Sequence, residues 1–78
     1  MSRALIEQAI EICGGTEAKL GDATGYSQNG IHQAKKRGHV SPLMALAIDE
    51  ATKGVVSASK LRPDLWPSEL HVPRRAHK

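Results

Sequence analysis

Thr16-Glu17-Ala18-Lys19-Leu20-Gly21-Asp22-Ala23-Thr24-Gly25-Tyr26-Ser27-Gln28-Asn29-Gly30-Ile31-His32-Gln33-Ala34-Lys35-Lys36-Arg37-Gly38 is the stretch that decides the fold. Thr16 can cap a helix N-terminus, Glu17 suits the positive end of that helix, and Gly25 offers a left-handed stop. A short helix over Glu17 to Thr24 follows. Ser27 is a second good cap, and Gly38 a second stop, so another helix is expected from Ser27 to Gly38. Only Gly25 and Tyr26 separate the two, which forces a steep crossing. A steep crossing needs a small residue where the helices touch, and Gly21 stands four before the turn glycine. The stretch meets the steric demands of a helix-turn-helix.

In the second helix Ile31 and Ala34 lie on one face, with Gly30 beside them, and are the side that packs inward. The opposite face carries Gln28, Asn29, His32, Gln33 and Lys36, at offsets of zero, one, four, five and eight, which is one stripe along a helix. Amides, an imidazole and an ammonium all form hydrogen bonds. An Asn or Gln amide can pair with N6 and N7 of adenine in the major groove, whereas His and Lys suit guanine or phosphate acceptors. Gln28, Asn29, His32 and Gln33 are therefore the candidate base contacts. Thr16, Ser27, Lys35, Lys36, Arg37 and His39 are the candidate contacts to a nucleic-acid backbone, where cation–phosphate pairing supplies much of the affinity.

Working outward, Leu5, Ile6, Ala9, Ile10 and Cys13 recur at helical spacing before the motif, with Ser2 as cap and Gly14-Gly15 as stop. After it, Ser41-Pro42 is a cap followed by proline at the first helical position, and Leu43, Leu46, Ala47 and Ala51 recur until Gly54. Val55-Val56 has the character of a short extended piece. Ser57 caps one further turn through Leu61, which Pro63 keeps short. Leu61, Leu65, Trp66 and Leu70 then either close the core or form a partner surface, and sequence leaves both readings open. From His71 onward Pro73, Arg74, Arg75, His77 and Lys78 leave little to bury, so residues 71–78 are expected to be a flexible, disordered basic tail behind a single domain of residues 1–70.

Seventy-eight residues suffice for one small domain. Phe is absent, and Trp66 and Tyr26 are the only aromatics, so the core must be aliphatic and the fold class all-α. The net charge is +3 and the pI about 9.4, which alone is weak support for a polyanionic partner. Distribution says more: residues 27 to 39 hold Lys35, Lys36, Arg37 and His39 without an acid, while Glu7, Glu11, Glu17, Asp22, Asp49 and Glu50 lie on other segments. A two-sided electrostatic surface is expected.

The single Cys13 forms no internal disulfide and, on the apolar stripe of the first helix, reads as a structural thiol. A reducing cytoplasm is the expected location. Met1-Ser2-Arg3 leads into an amphipathic segment rather than a signal-peptide core, and no run is long enough for a membrane span. His32, His39, His71 and His77 are scattered without ligand spacing, so no metal is expected, nor any cofactor or small-molecule ligand. Neither a nucleophile with its base nor a phosphate-cradling loop is present, which points away from an enzyme. RNA reading is disfavoured by the scarcity of stacking aromatics.

Gly25-Tyr26-Ser27-Gln28-Asn29-Gly30-Ile31-His32-Gln33-Ala34 resembles the turn and recognition helix of lambdoid phage Cro. Ala47-Ile48-Asp49-Glu50-Ala51-Thr52-Lys53-Gly54 and Leu61-Arg62-Pro63-Asp64-Leu65-Trp66 resemble the YdaS-type branch of Cro-like repressors, and together the similarity runs from about residue 4 to 67. The resemblance implies a small five-helix lambda-repressor-like domain with a short fifth helix. It further implies a transcriptional repressor that occupies double-stranded operator DNA, usually as a homodimer on a palindrome, with Gln28, Asn29, His32 and Gln33 at the base-contacting positions. This chain departs from the family at Thr24, where Leu is usual, at Ala34, where Trp is frequent, and at Gly30, where Ala is frequent. Glycine within a helix costs about 1 kcal/mol relative to alanine, so a recognition helix that frays without DNA is expected. An antitoxin-like protein that binds a partner through Leu61 to Leu70, and uses the same motif for autoregulation, is the alternative.

Overall fold

Four of the five helices begin on a side chain that the sequence marks as a cap, in a computed structural model that describes residues 3–68, 70 and 72. Helices α1 (Arg3–Ile12), α2 (Glu17–Thr24), α3 (Gln28–Arg37), α4 (Pro42–Ala51) and α5 (Ala58–Leu61) follow in order, with no strand among the described residues. Thr16 accepts from the Lys19 amide at 3.1 Å, Ser27 from Gly30 at 3.0 Å, Ser41 from Met44 at 3.2 Å and Ser57 from Lys60 at 3.3 Å. Each bond satisfies an amide that the first helical turn leaves without a backbone partner. The expected cap of α1, Ser2, lies outside the described residues.

The stops are equally local. Gly25 and Gly38 hold φ of +83° and +81° at the ends of α2 and α3, in the left-handed region that costs other residues energy. Two residues before Gly54, the expected stop, helix α4 closes at Thr52. Its hydroxyl donates to the Ile48 carbonyl at 2.9 Å and accepts from the Val56 amide at 3.0 Å, so one side chain satisfies backbone on both sides of the turn. Val55-Val56 forms no strand: Val55 is half exposed and Val56 is fully buried.

Every helix contributes to one aliphatic core, with Ile6, Leu20, Ile31, Ile48, Val40 and Val56 among its least exposed side chains. Helix α2 packs on α3 and α4, α1 on α3 and α2, and α5 on α4. The buried face of α4 is Met44, Ala45, Ile48 and Asp49, whereas Leu43 is 72% exposed and Leu46, Ala47 and Ala51 lie at its margins. The helix is apolar nearly all round, so spacing alone does not select the face that α2 and α5 cover. Asp49 belongs inside for a specific reason: its carboxylate accepts from the Ala58 amide at 2.9 Å and pins α5 to α4.

The segment after α5 divides. Leu61 is 3% exposed and part of the core, Trp66 is partly buried against it, and Leu65 is 42% exposed. Leu70 is 94% exposed. The Arg62 guanidinium donates to the Val40 carbonyl at 3.0 Å and pairs with Asp64 at 2.8 Å, tying this segment to the loop that leaves α3. That pairing holds the Asp64 carboxyl below the ordinary carboxylate range. Val72 is 8% exposed, so apolar packing reaches into the segment expected as tail. Residues 71 and 73–78, the remainder of that segment, lie outside the described residues.

Candidate nucleic-acid interface

The interface is built on the contact between α2 and α3. Gly25 and Tyr26 both donate their amides to the Gly21 carbonyl, at 2.8 and 3.0 Å, so the turn folds back onto the end of α2. A β-carbon at Gly21 would lie 2.6 Å from the Tyr26 carbonyl oxygen and 3.3 Å from the Ser27 carbonyl carbon. These are backbone atoms that cannot step aside, which is the physical reason for glycine here. Tyr26 is half-buried and packs against the core. Thr24, where a larger apolar residue is usual, turns its hydroxyl to the Leu20 and Gly21 carbonyls at 2.9 and 3.3 Å and leaves no unpaired polar atom.

With Ile31 and Ala34 buried, the opposite face of α3 is turned outward. Gln28, Asn29 and His32 are exposed, Gln33 is half-buried at the edge of the stripe, and Lys36, Arg37 and His39 are exposed beyond it. Among the described residues neither Lys36 nor Arg37 has an ion-pair partner. Thr16 and Ser27 spend their hydroxyls on their own helix N-termini. Gly30 stands in the first turn of α3, where an added β-carbon would meet nothing closer than the Ser27 hydroxyl at 3.4 Å.

Lys35 departs from the expected pattern. Its ammonium lies 2.8 Å from a carboxylate oxygen of Glu17, and the same oxygen is 3.3 Å from Nδ1 of His32. The α3 surface is therefore not free of acids: Glu17 reaches it from α2. Hydrogen bonding from Lys35 holds the Glu17 carboxyl below its ordinary range; desolvation opposes it, and a weaker contribution from His32 adds to the lowering. Sequence reasoning placed Glu17 on another segment, because a contact between residues 15 and 18 positions apart depends on how the helices cross. Opposite charge at Glu17 and Lys35 was the available signal.

Elsewhere the surface is less suited to a ligand. The Cys13 thiol is partly buried, 3.9 Å from the Ala51 carbonyl, and desolvation raises its pKa, which lowers the fraction present as the reactive thiolate. Among the described residues no group of three His, Cys, Asp or Glu side chains could hold a metal ion, and no helix is long and apolar enough to cross a membrane.

The sequence profile of the family described as bacterial toxin YdaS matches residues 6–70. Among solved structures, the chain is similar to a Cro protein from prophage element Xfaso 1 in Xylella fastidiosa strain Ann-1. The two share 30% identity with a TM-score of 0.75, over 82% of this chain and 97% of that one. No curated protein matches the chain. The helix-turn-helix carried by Gly21, Gly25 and the Ser27 cap, the five-helix architecture and both similarities agree: the chain belongs to the YdaS family of Cro-like, phage-type helix-turn-helix proteins.

Proposed function

We propose that the protein is a transcriptional repressor that binds double-stranded operator DNA, with α3 in the major groove. The observation that carries this reading is the outward row of Gln28, Asn29 and His32 on a helix whose opposite face is locked into the core, flanked by Lys36 and Arg37, which have no ion-pair partner among the described residues. Such a row supplies directed hydrogen bonds to base edges, while the cations and His39 supply phosphate contacts that set register. Gln33, half-buried, contributes from the edge. Thr16 and Ser27 approach phosphate through the helix N-termini that they cap. Lys35 contributes less to the backbone than Lys36, because Glu17 already holds it. The protein acts as a homodimer, with two recognition helices about 34 Å apart on a palindrome, and represses by blocking access to the promoter. Its place is the cytoplasm of a bacterial cell, and it needs no cofactor and performs no catalysis.

The test is selection of bound duplexes from a random pool, then titration of the winner against a scrambled duplex at two salt concentrations. An inverted repeat with a steep salt dependence is the expected result. Gln28→Ala and Asn29→Ala reduce the preference for that sequence by roughly 5- to 100-fold while nonspecific affinity stays nearly unchanged; Lys36→Ala lowers both. Equal affinity of wild type for operator and scrambled duplex would overturn the reading.

One observation favours a second reading, that the protein acts on or with a partner protein in a toxin system: the family's description names a toxin. The exposed Leu65 and Leu70 are the surface for it. Deleting the chain from residue 60 is a poor test, since it removes the buried Leu61. Leu65→Ser with Leu70→Ser leaves the core intact, and loss of partner binding with DNA binding unchanged would support this second role.

A further inference from the structure

Glu17 is the first residue of α2, and its side chain is only 18% exposed. The Lys35 ammonium, 2.8 Å away, fixes the carboxylate in place, and the positive end of α2 favours its ionised form. An ionised carboxylate only accepts hydrogen bonds. Its approach to Nδ1 of His32 at 3.3 Å is therefore favourable when Nδ1 carries the proton. A neutral imidazole has one donor and one acceptor nitrogen, so a proton kept on Nδ1 leaves Nε2 as a bare acceptor. The ring is 53% exposed on the outward stripe of α3.

We infer that Glu17 is a specificity-determining positioning residue, which holds His32 in the Nδ1-protonated form so that Nε2 accepts a hydrogen bond from an amino-bearing base, adenine or cytosine. Guanine presents only acceptors, N7 and O6, at the same edge of the major groove, and an acceptor nitrogen repels them. Simple inspection of residue type would assign His32 to guanine; the carboxylate behind it reverses that assignment. Glu17 touches no base and acts through His32. The inference rests on the reading of α3 as the base-contacting helix.

The test uses the intact chain as wild type, Glu17→Ala and Glu17→Gln, the last preserving side-chain size should the alanine variant fold poorly. Ring 15N shifts of His32, recorded without DNA above the pH range in which imidazoles ionise, report which nitrogen is protonated. The expected result is a protonated Nδ1 in wild type and a shift toward protonated Nε2 in both variants. Duplex selection supplies the second readout, with the His32-dependent position located by comparison with His32→Ala. Wild type enriches adenine or cytosine there by about fivefold or more over guanine, and the Glu17 variants lose that preference. A bare Nδ1 in wild type, or an enriched motif with the same base at that position in wild type and both variants, overturns the role of Glu17 while leaving DNA reading intact. Failure of wild type to enrich any motif overturns the DNA reading, and the role of Glu17 with it.

Discussion

The α2–α3 unit and the α4–α5 unit use polar residues in opposite ways. On α3 most of the amides and cations face outward, and the ion pair of Glu17 with Lys35, which His32 also approaches, lies near the surface. Between α4 and α5 four polar residues are inside: Asp49, Thr52, Ser57 and Ser59 are all 9% exposed or less. Among the described residues no buried side-chain nitrogen or oxygen lacks a hydrogen-bond partner. In the first unit polar side chains are left facing solvent; in the second they replace the backbone bonds that a four-residue helix cannot make for itself. The composition of the two stretches does not announce the difference.

The comparison is tested most severely by Asp49→Ala. Removing a buried acceptor strands the Ala58 amide and frees α5, and a loss of about 2–3 kcal/mol in urea unfolding is expected. Asp49→Asn, which keeps an acceptor, loses less. Gln28→Ala, on the outward stripe, changes stability by no more than about 0.5 kcal/mol. Equal losses at Asp49 and Gln28 would erase the contrast between the two units.

Two glycines of the helix-turn-helix sharpen it further. Gly21→Ala drives a β-carbon against the Tyr26 carbonyl and opens the helix crossing, for an expected loss of about 1–2 kcal/mol after allowing for alanine's better helix propensity. Gly30→Ala has the opposite sign. Its β-carbon fits beside Ser27, and the lower conformational entropy of the unfolded chain stabilises α3 by up to about 1 kcal/mol. Thermal melts of the two variants should move in opposite directions, with amide exchange in α3 slowed by Gly30→Ala if fraying of that helix limits it.

The smallest effect is on pH dependence. The Glu17 carboxyl is held below its ordinary range, first by hydrogen bonding from Lys35. A depressed carboxyl contributes stability that is fully present above its unfolded-state pKa and is lost as pH falls through the lower folded-state value. Glu17→Gln should therefore flatten the acid side of a plot of Tm against pH and leave its slope at neutral pH unchanged. Asp64, held down by Arg62, contributes in the same direction and remains in that variant.

Helix boundaries were legible because their signals are local. Thr16, Ser27, Ser41 and Ser57 each act on an amide three residues on, and Gly25 and Gly38 act through their own φ. The helix-turn-helix was legible for a related reason, since a two-residue turn leaves few ways for its helices to cross, and Gly21 already marked the crossing point. The buried and outward faces of α3 could be read from their unlike residue types.

Interactions between distant segments were beyond that reach. Leu43, on a helix apolar nearly all round, is exposed while Met44 is buried, because the packing of α2 and α5 chooses the face. Asp49 has the same residue type as a surface acid and becomes a core residue only when the Ala58 amide is brought to it. Arg62 reaches back to Val40, and Glu17 crosses to Lys35 and His32, over distances that no periodicity encodes. By itself the sequence determined the caps of α2 to α5, the stops of α2 and α3 and which side of α3 faces outward, since those depend on dihedral preference and nearest-turn contacts. Tertiary structure alone decided which polar groups are spent inside the fold and which remain exposed, since that depends on atoms meeting from distant parts of the chain.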